Sequence, residues 1–311
     1  MGIGAGIGMA NFTFDDADGF WRWVDLCDNG GVDSIWQSDR IIDRTPNLET
    51  MSVMAALAGA SKRLKFGMNV ASLGLRDPII TAKACATIDY LSNGRLLPAF
   101  GVGSAISRDY VATDIPTKGR GKRTDEGLEI MARLWSEDLV TFNGDYYQLD
   151  EASIAPKPVQ SPLPLWVGGS AAAAIERTAR WGTGWQAGIE SADEVAPVIA
   201  TIKRRAAELN RQIDDDHFGA GFGFRFGSHD EPLVTRYNEQ FQKRLGKDPA
   251  AYSAIGGIDE MMALVHDFHA AGVHKFVLRP IAAGTDDIET LAGGKTSGDR
   301  GGSGGGEEVE T

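Results

Sequence analysis

The sequence predicts a single (β/α)8 barrel. Short apolar runs alternate with segments of helical period, eight such strand-plus-helix units follow one another, and 311 residues suit one large barrel. Hydrophobic residues make up 42% and charged residues 24%, a composition that supports a packed core. The barrel is assigned to residues 1–292, and residues 293–311 to a tail.

Gly2–Gly8 is the expected first strand, weakened by its glycines. Asp16–Asn29 reads as a helix, because Phe20, Trp23, Val24 and Cys27 repeat at i, i+3, i+4 and i+7. Gly30-Gly31 ends it. Ser34–Gln37 is the second strand, Glu49–Ala60 a small-residue helix and Leu64–Val70 the third strand. Pro78–Leu91 is a helix with proline in its first turn, where a missing N–H costs nothing. Leu96–Phe100 is the fourth strand, and Thr124–Trp135 a helix with Leu128, Met131 and Trp135 on one face. Asp138–Pro164 is expected to be a long loop that covers or shapes a site. Leu165–Val167, Gly184–Ala187 and His217–Phe226 are strands five to seven, with helices Ala171–Trp181 and Ala192–Leu209 between them. Glu231–Tyr252 holds one or two helices, Ile258–Ala271 another, and Lys275–Leu278 is the eighth strand.

Charge and composition exclude several functions. A net charge of −12 opposes nucleic acid and anionic membranes, both of which need a basic face. No apolar run is long enough to span a bilayer, and no signal peptide is expected, so the expected location is the cytoplasm. Cys27 and Cys85 sit in apolar periodic segments and read as small core residues. His266, His269 and His274 lack the HExxH pattern, and no metal site is expected. Residues 293–311 contain eight glycines and no aromatic residue, too little apolar surface to offset the entropy of ordering. Their Gly294-Lys295-Thr296 fails as a phosphate loop, since position 289 is Glu.

In such barrels the active site lies at the C-terminal ends of the strands. Trp166-Val167-Gly168-Gly169-Ser170 precedes a helix, so backbone amides there could meet an anion at a helix N-terminus; the plainer alternative is a tight turn with Ser170 as helix cap. Arg279, after strand eight, could serve the same anion or form a surface ion pair. Gly101 and Gly103 begin a dinucleotide fingerprint that Ile106 leaves incomplete, and they are read as making room for a flat ring. Asp39, ending strand two, is either an acid/base or cofactor contact, or else a helix cap or a partner for Arg40 or Arg44.

Taken together, GGVDSIWQSDR (30–40), KRLKFGMNV (62–70), the segments 77–104 and 120–138, and PKPVQSPLPLWVGGSAAAAIERTARWGTGWQ (156–186) resemble, in order and spacing, the bacterial-luciferase-like flavin and F420-dependent oxidoreductases. The resemblance covers roughly residues 1–292. It implies that FMN or coenzyme F420 binds at the barrel mouth, with Gly168, Gly169 and Ser170 on the cofactor phosphate. It further implies a cis bond at Asn69–Val70 beneath the ring, with Asp39 and Asn69 facing it. Asp39-Arg40 stands where many F420-dependent members carry Asp-His, and Ile106 where sugar-phosphate dehydrogenases carry an acid.

The expected function is therefore an FMNH2-dependent monooxygenase using O2 on a small apolar substrate, with Asp39 and Arg40 as catalytic residues and a separate flavin reductase as partner. F420-dependent hydride transfer and a non-catalytic flavin-binding relative are the alternatives. Trp36, Phe142, Tyr146 and Tyr147 suggest an apolar substrate unless they are simply packing. The resemblance implies a homodimer or homotetramer through the helices after strands two and three, where Ala55, Ala56, Ala58, Gly59 and Ala60 form a small-residue face.

Overall fold

The structure is a computed structural model and describes residues 3–9, 14–282 and 285–293. Strand β1 (Gly4–Met9) leads to α1 (Ala17–Asn29), whose Asp16 side chain accepts from the Gly19 amide and caps it. Then come β2 (Ser34–Gln37), α2 (Thr50–Ala60), β3 (Lys65–Met68), β4 (Ala71–Ser72) and α3 (Pro78–Ser92). These are followed by β5 (Leu96–Leu97), β6 (Ala99–Gly101), α4 (Arg108–Ala112), α5 (Arg120–Ser136), β7 (Val140–Asn143) and β8 (Gln148–Ala152). The second half runs β9 (Trp166–Gly168), α6 (Ala172–Trp181), β10 (Gly184–Gln186), α7 (Ala192–Glu208), β11 (Phe218–Ala220) and β12 (Gly223–Phe226). It ends with α8 (Pro232–Leu245), β13 (Ser253–Gly256), α9 (Ile258–Ala270), β14 (Lys275–Pro280) and α10 (Asp286–Gly293).

The expected barrel is present. β3 with β4, and β5 with β6, are each one barrel strand in two pieces, broken at Asn69–Val70 and at Pro98. Parallel pairing then runs through β1, β2, β3/β4, β5/β6, β9, β10, β11 and β14, and β14 returns to β1. Strand seven is likewise split: β11 pairs with β10 and β14, whereas β12 pairs with the far end of β14 and with β13. The additional β12–α8–β13–α9 unit therefore sits beside the upper end of the barrel.

The barrel interior is filled by Trp36, Leu97, Ala99, Trp166 and Val277. The two tryptophans meet edge to face, with ring centroids 6.0 Å apart. Glycines make this possible: a Cβ on Gly67 would stand 2.8 Å from the Trp36 ring, and one on Gly184 2.7 Å from Trp166. Burying each such ring is worth roughly 1.5–3 kcal/mol or more. Trp36 is thus core, not a pocket residue.

The segment Asp138–Pro164 is not a bare loop. β7 and β8 form an antiparallel hairpin, and Glu126 on α5 accepts from the amides of Asp145, Tyr146 and Tyr147. Lys157 donates to the carbonyls of Leu134 and Glu137, so the hairpin's return is tied to α5 as well. Cys27 and Cys85 are buried and unpaired as thiols, as read from the sequence. No helix among the described residues is long and apolar enough to cross a membrane. α10 continues through Gly293, and the rest of the expected tail lies outside the described residues, as does Gly294-Lys295-Thr296.

Candidate functional site at the barrel mouth

The floor of the mouth is Val70. Its peptide bond with Asn69 is cis, as the resemblance implied, and its side chain packs down on the interior tryptophan cluster. Two neighbouring strand ends give way to it. A Cβ on Gly101 would stand 2.9 Å from a Val70 methyl, and one on Gly168 would stand 2.7 Å from it. These glycines therefore clear space for Val70 rather than directly for a ring, which corrects the reading of Gly101. Gly103 differs: at φ +72° it lies in the left-handed region, against Ser72 and Tyr110.

Above this floor opens a cavity of about 720 Å³. Ser38, Asp39 and Arg40 after β2, Asn69 and Val70 after β3, and Gly103 and Ser104 after β6 form one side. Ala187–Ile189 after β10, Gly223 of β12, Tyr237 and Arg244 of α8, and Arg279 of β14 form the other. Among the residues read from the sequence, the cavity thus gathers Asp39, Arg40, Asn69, Val70, Gly103 and Arg279. Gly101 lies beneath it, and Gly168, Gly169 and Ser170 are not among its lining residues. Phe142, Tyr146 and Tyr147 belong to the hairpin region and do not line it either, which fits their reading as packing; the aromatic residues that line it are Tyr237 and Phe241.

Asp39 is not a free acid or base. Arg76, just before α3, donates to both carboxylate oxygens at 2.8 and 2.7 Å, and the Ser72 amide adds a third bond at 2.9 Å. The pair is largely enclosed, with the Asp39 side chain 4% and the Arg76 side chain 13% exposed. The partner is neither Arg40 nor Arg44. Arg40 is exposed at the cavity edge, and no hydrogen bond or ion pair of its side chain is found among the described residues.

The other carboxylates of the cavity are also engaged. Asp109 accepts from the amides of Ile41 and Ile42, at 3.2 and 2.7 Å, and from the Ser107 hydroxyl. Asp43 accepts from the amides of Thr45 and Arg44, and those bonds hold its carboxyl below the usual range.

The turn after β9 carries Gly169 at φ +105°. The Gly169 amide bonds the Gln186 carbonyl, whereas the amides of Ser170, Ala171, Ala172 and Ala173 find no acceptor among the described residues. Ala171, not Ser170, is the N-cap of α6, and it offers no capping side chain. The Ser170 hydroxyl instead donates to Glu190 at 2.7 Å. This helix N-terminus therefore keeps donors available for an anion.

Arg279 lies inside β14 rather than beyond it, and one guanidinium nitrogen donates to the Gly221 carbonyl at 2.8 Å. Burial pulls its pKa below the ordinary value; Glu190 supports its charge and Arg244 opposes it. The sequence did not single out Arg76, Glu190, Tyr237 or Arg244. Only the last two left a trace, since Tyr237, Phe241 and Arg244 are spaced i, i+4 and i+7 on one helix face.

At the opposite end of the barrel, Asp214, Asp216 and His217 come close together before β11. The His217 Nδ1 bonds the Thr183 carbonyl at 2.8 Å. These residues face away from the mouth and play no part in the cavity described above. His269 and His274 bond the carbonyls of Val273 and Gly272.

The chain matches the family model described as luciferase-like monooxygenase over residues 3–275. It is 32% identical, over 163 residues, to the F420-dependent glucose-6-phosphate dehydrogenase of Kineococcus radiotolerans, covering 50% of this chain and 48% of that protein. It is 30% identical, over 173 residues, to the FMNH2-dependent dimethylsulfone monooxygenase of Pseudomonas fluorescens, covering 53% and 45%. The chain thus spans about half the length of the curated relatives it matches. In fold it is similar to a solved F420-dependent secondary alcohol dehydrogenase in complex with an F420-acetone adduct. That likeness has a TM-score of 0.78 at 20% identity, over 94% of this chain and 96% of the other.

Proposed function

The chain belongs to the luciferase-like monooxygenase family, and from that premise we propose an FMNH2-dependent monooxygenase that acts on a small organic molecule with O2. The observation that carries this reading is the state of the cavity's carboxylates. Oxidising an alcohol by hydride transfer needs a base to take the hydroxyl proton. Asp39 is held by Arg76, Asp109 and Asp43 by backbone amides, and no histidine lines the cavity. Oxygenation by a reduced flavin makes no such demand on a side chain.

The residues present fit a flavin. Val70 and the Asn69–Val70 peptide offer a flat support above the tryptophan cluster, and the free amides of residues 170–173 suit a phosphate. Bound FMNH2 would supply the two electrons and the position at which O2 is activated. Val70 and Asn69 would support the ring, and the free amides of Ser170 to Ala173 would hold its phosphate, with the Gly169 amide kept by Gln186. The Ser170 hydroxyl would add a further bond only by turning from Glu190. Asp39 would keep Arg76 and the Ser72 loop in place rather than exchange protons, and Arg40 would border the entrance. A separate flavin reductase would deliver the cofactor. The proposal includes a cytoplasmic homo-oligomer, supported by the outward face of α3, where Ile80, Tyr90 and Leu91 are 72, 57 and 63% exposed.

F420-dependent hydride transfer is the second reading, favoured by the identity to the F420-dependent relative. Titration with FMN, FMNH2 and F420 separates the two. Flavin binding, together with O2 uptake driven by an added reductase, is the expected result. Tight F420 binding with no binding of either FMN form would reverse the assignment.

A further inference from the structure

We infer that the β12–α8–β14 wall is a receptor for an oxyanion on the substrate, a carboxylate or phosphate ester group, held by Arg279, Arg244 and Tyr237. The inference rests on the flavin reading for what occupies the other side of the cavity, but not for its own chemistry.

Arg279 differs from most of the enclosed arginines; Arg120, with one bond to the Thr117 carbonyl at 3.4 Å, is as sparsely bonded but does not line the cavity. Arg76, Arg177 and Arg225 each pair with a carboxylate, at 2.7, 2.5 and 2.9 Å. Arg95 and Arg211 have no such partner but spend their donors on a ring of carbonyls, Leu64, Ala58 and Ser61 for the first, and Ala179 and Gly182 for the second. Arg279 makes one bond, to Gly221, and no ion pair among the described residues. A guanidinium has five N–H donors, and those of Arg279 not bonded to Gly221 open onto the cavity, where a ligand completes the set.

Its surroundings are donors as well. Arg244 lines the same cavity and has no hydrogen bond or ion pair among the described residues. Arg244 opposes the charge of Arg279, and an anion between the two guanidiniums relieves that repulsion. Tyr237 lies one helical turn before Phe241 on the same face of α8, and Gly223 gives it room: a Cβ there would stand 2.6 Å from the Tyr237 hydroxyl. Burial pushes the Tyr237 phenol up, so it remains an O–H donor. Glu190, which supports the Arg279 charge, accepts from Ser170 through one oxygen, makes no ion pair with Arg279 among the described residues and does not line the cavity. Two guanidinium forks and a phenol lining the same cavity suit an oxyanion. The wall also stands across the cavity from Asn69 and Val70, which leaves that floor to the cofactor.

Isothermal titration with benzoate, and with benzamide as its neutral match, tests this on FMN-loaded and cofactor-free protein. Benzoate is expected to bind clearly tighter than benzamide, and Arg279→Met and Arg244→Met are each expected to weaken benzoate about tenfold or more. Arg244 is exposed, so its variant reads the site even where Arg279→Met fails to fold; Arg279→Lys should retain part of the affinity. Equal binding of benzoate and benzamide, no benzoate binding, or no effect of Arg244→Met would overturn the inference. So would a selective loss of FMN over riboflavin in these variants, which would assign the arginines to the cofactor phosphate. If the protein takes no flavin at all, the cofactor-free titration still reports on the anion site alone.

Discussion

The Arg76 guanidinium grips both oxygens of the Asp39 carboxylate, at 2.8 and 2.7 Å, across 37 residues of chain. This one relationship turns the most conspicuous acid at the mouth from a candidate proton carrier into a brace between the end of β2 and the loop that precedes α3.

Removing one partner should therefore be harmful and removing both should not. Arg76→Met leaves an enclosed carboxylate unpaired and is expected to cost about 3–5 kcal/mol in urea unfolding. The Asp39→Leu/Arg76→Met double variant should recover most of that loss. A single variant with wild-type stability would show that the pair carries no weight.

Gly168→Ala drives a methyl into Val70 at 2.7 Å. The expected cost is about 1–3 kcal/mol in thermal unfolding, with weakened flavin binding. Pairing it with Val70→Ala should restore stability but not the flavin affinity, because the support beneath the ring is then gone. Fluorescence titration of FMN reads the second effect.

Glu194 caps α7 and accepts from Lys247 at 2.8 Å and from the Tyr252 hydroxyl. The hydrogen bond from Lys247 first, with those from the Ser191 amide and Tyr252, overcomes burial and lowers its carboxyl from 4.5 to about 2. A depressed folded value means a contribution that is present above about pH 4.5 and is lost as pH falls toward 2. Glu194→Gln should flatten that part of the acid unfolding curve. An unchanged curve would count against it.

Burial pushes both thiols, Cys27 and Cys85, up to about 12. Neither should react with iodoacetamide at pH 8 in the folded protein, and both should react in urea, as mass spectrometry would record. Rapid labelling of either in the native state would contradict their place in the core.

Charged residues on α3 should separate subunits if the exposed apolar face is an interface. Ile80→Asp and Leu91→Asp, three helical turns apart, are expected to halve the mass seen by light scattering while leaving the circular dichroism unchanged. A wild-type protein that is already monomeric would remove the premise.

Much of the architecture was legible because a barrel strand is a local signal, a short apolar run bounded by turns. Ser34–Gln37 and the helix starts at Asp16, Glu49 and Asp77 can be read from a few adjacent residues. The hairpin within Asp138–Pro164 carried a readable mark too, Asn143-Gly144 between two strands, which the length of the segment obscured. The strand β13 and the helices α4 and α10 are short and weakly patterned. The site was less legible because its decisive contacts are non-local. Nothing near Asp39 in sequence announces Arg76, and nothing near Gly168 announces Val70, since both pairings exist only once strands stand side by side. Ser170 and Glu190, likewise, meet only across the ends of β9 and β10.

The division of strand seven into β11 and β12 has a further consequence. Because α8 hangs on the annexed β12–β13 pair, its side chains can be exchanged while the ring through β11 stays closed. On the proposed reading, selectivity and scaffold are thereby uncoupled, and retargeting the protein toward a new compound becomes an engineering task confined to one graftable helix.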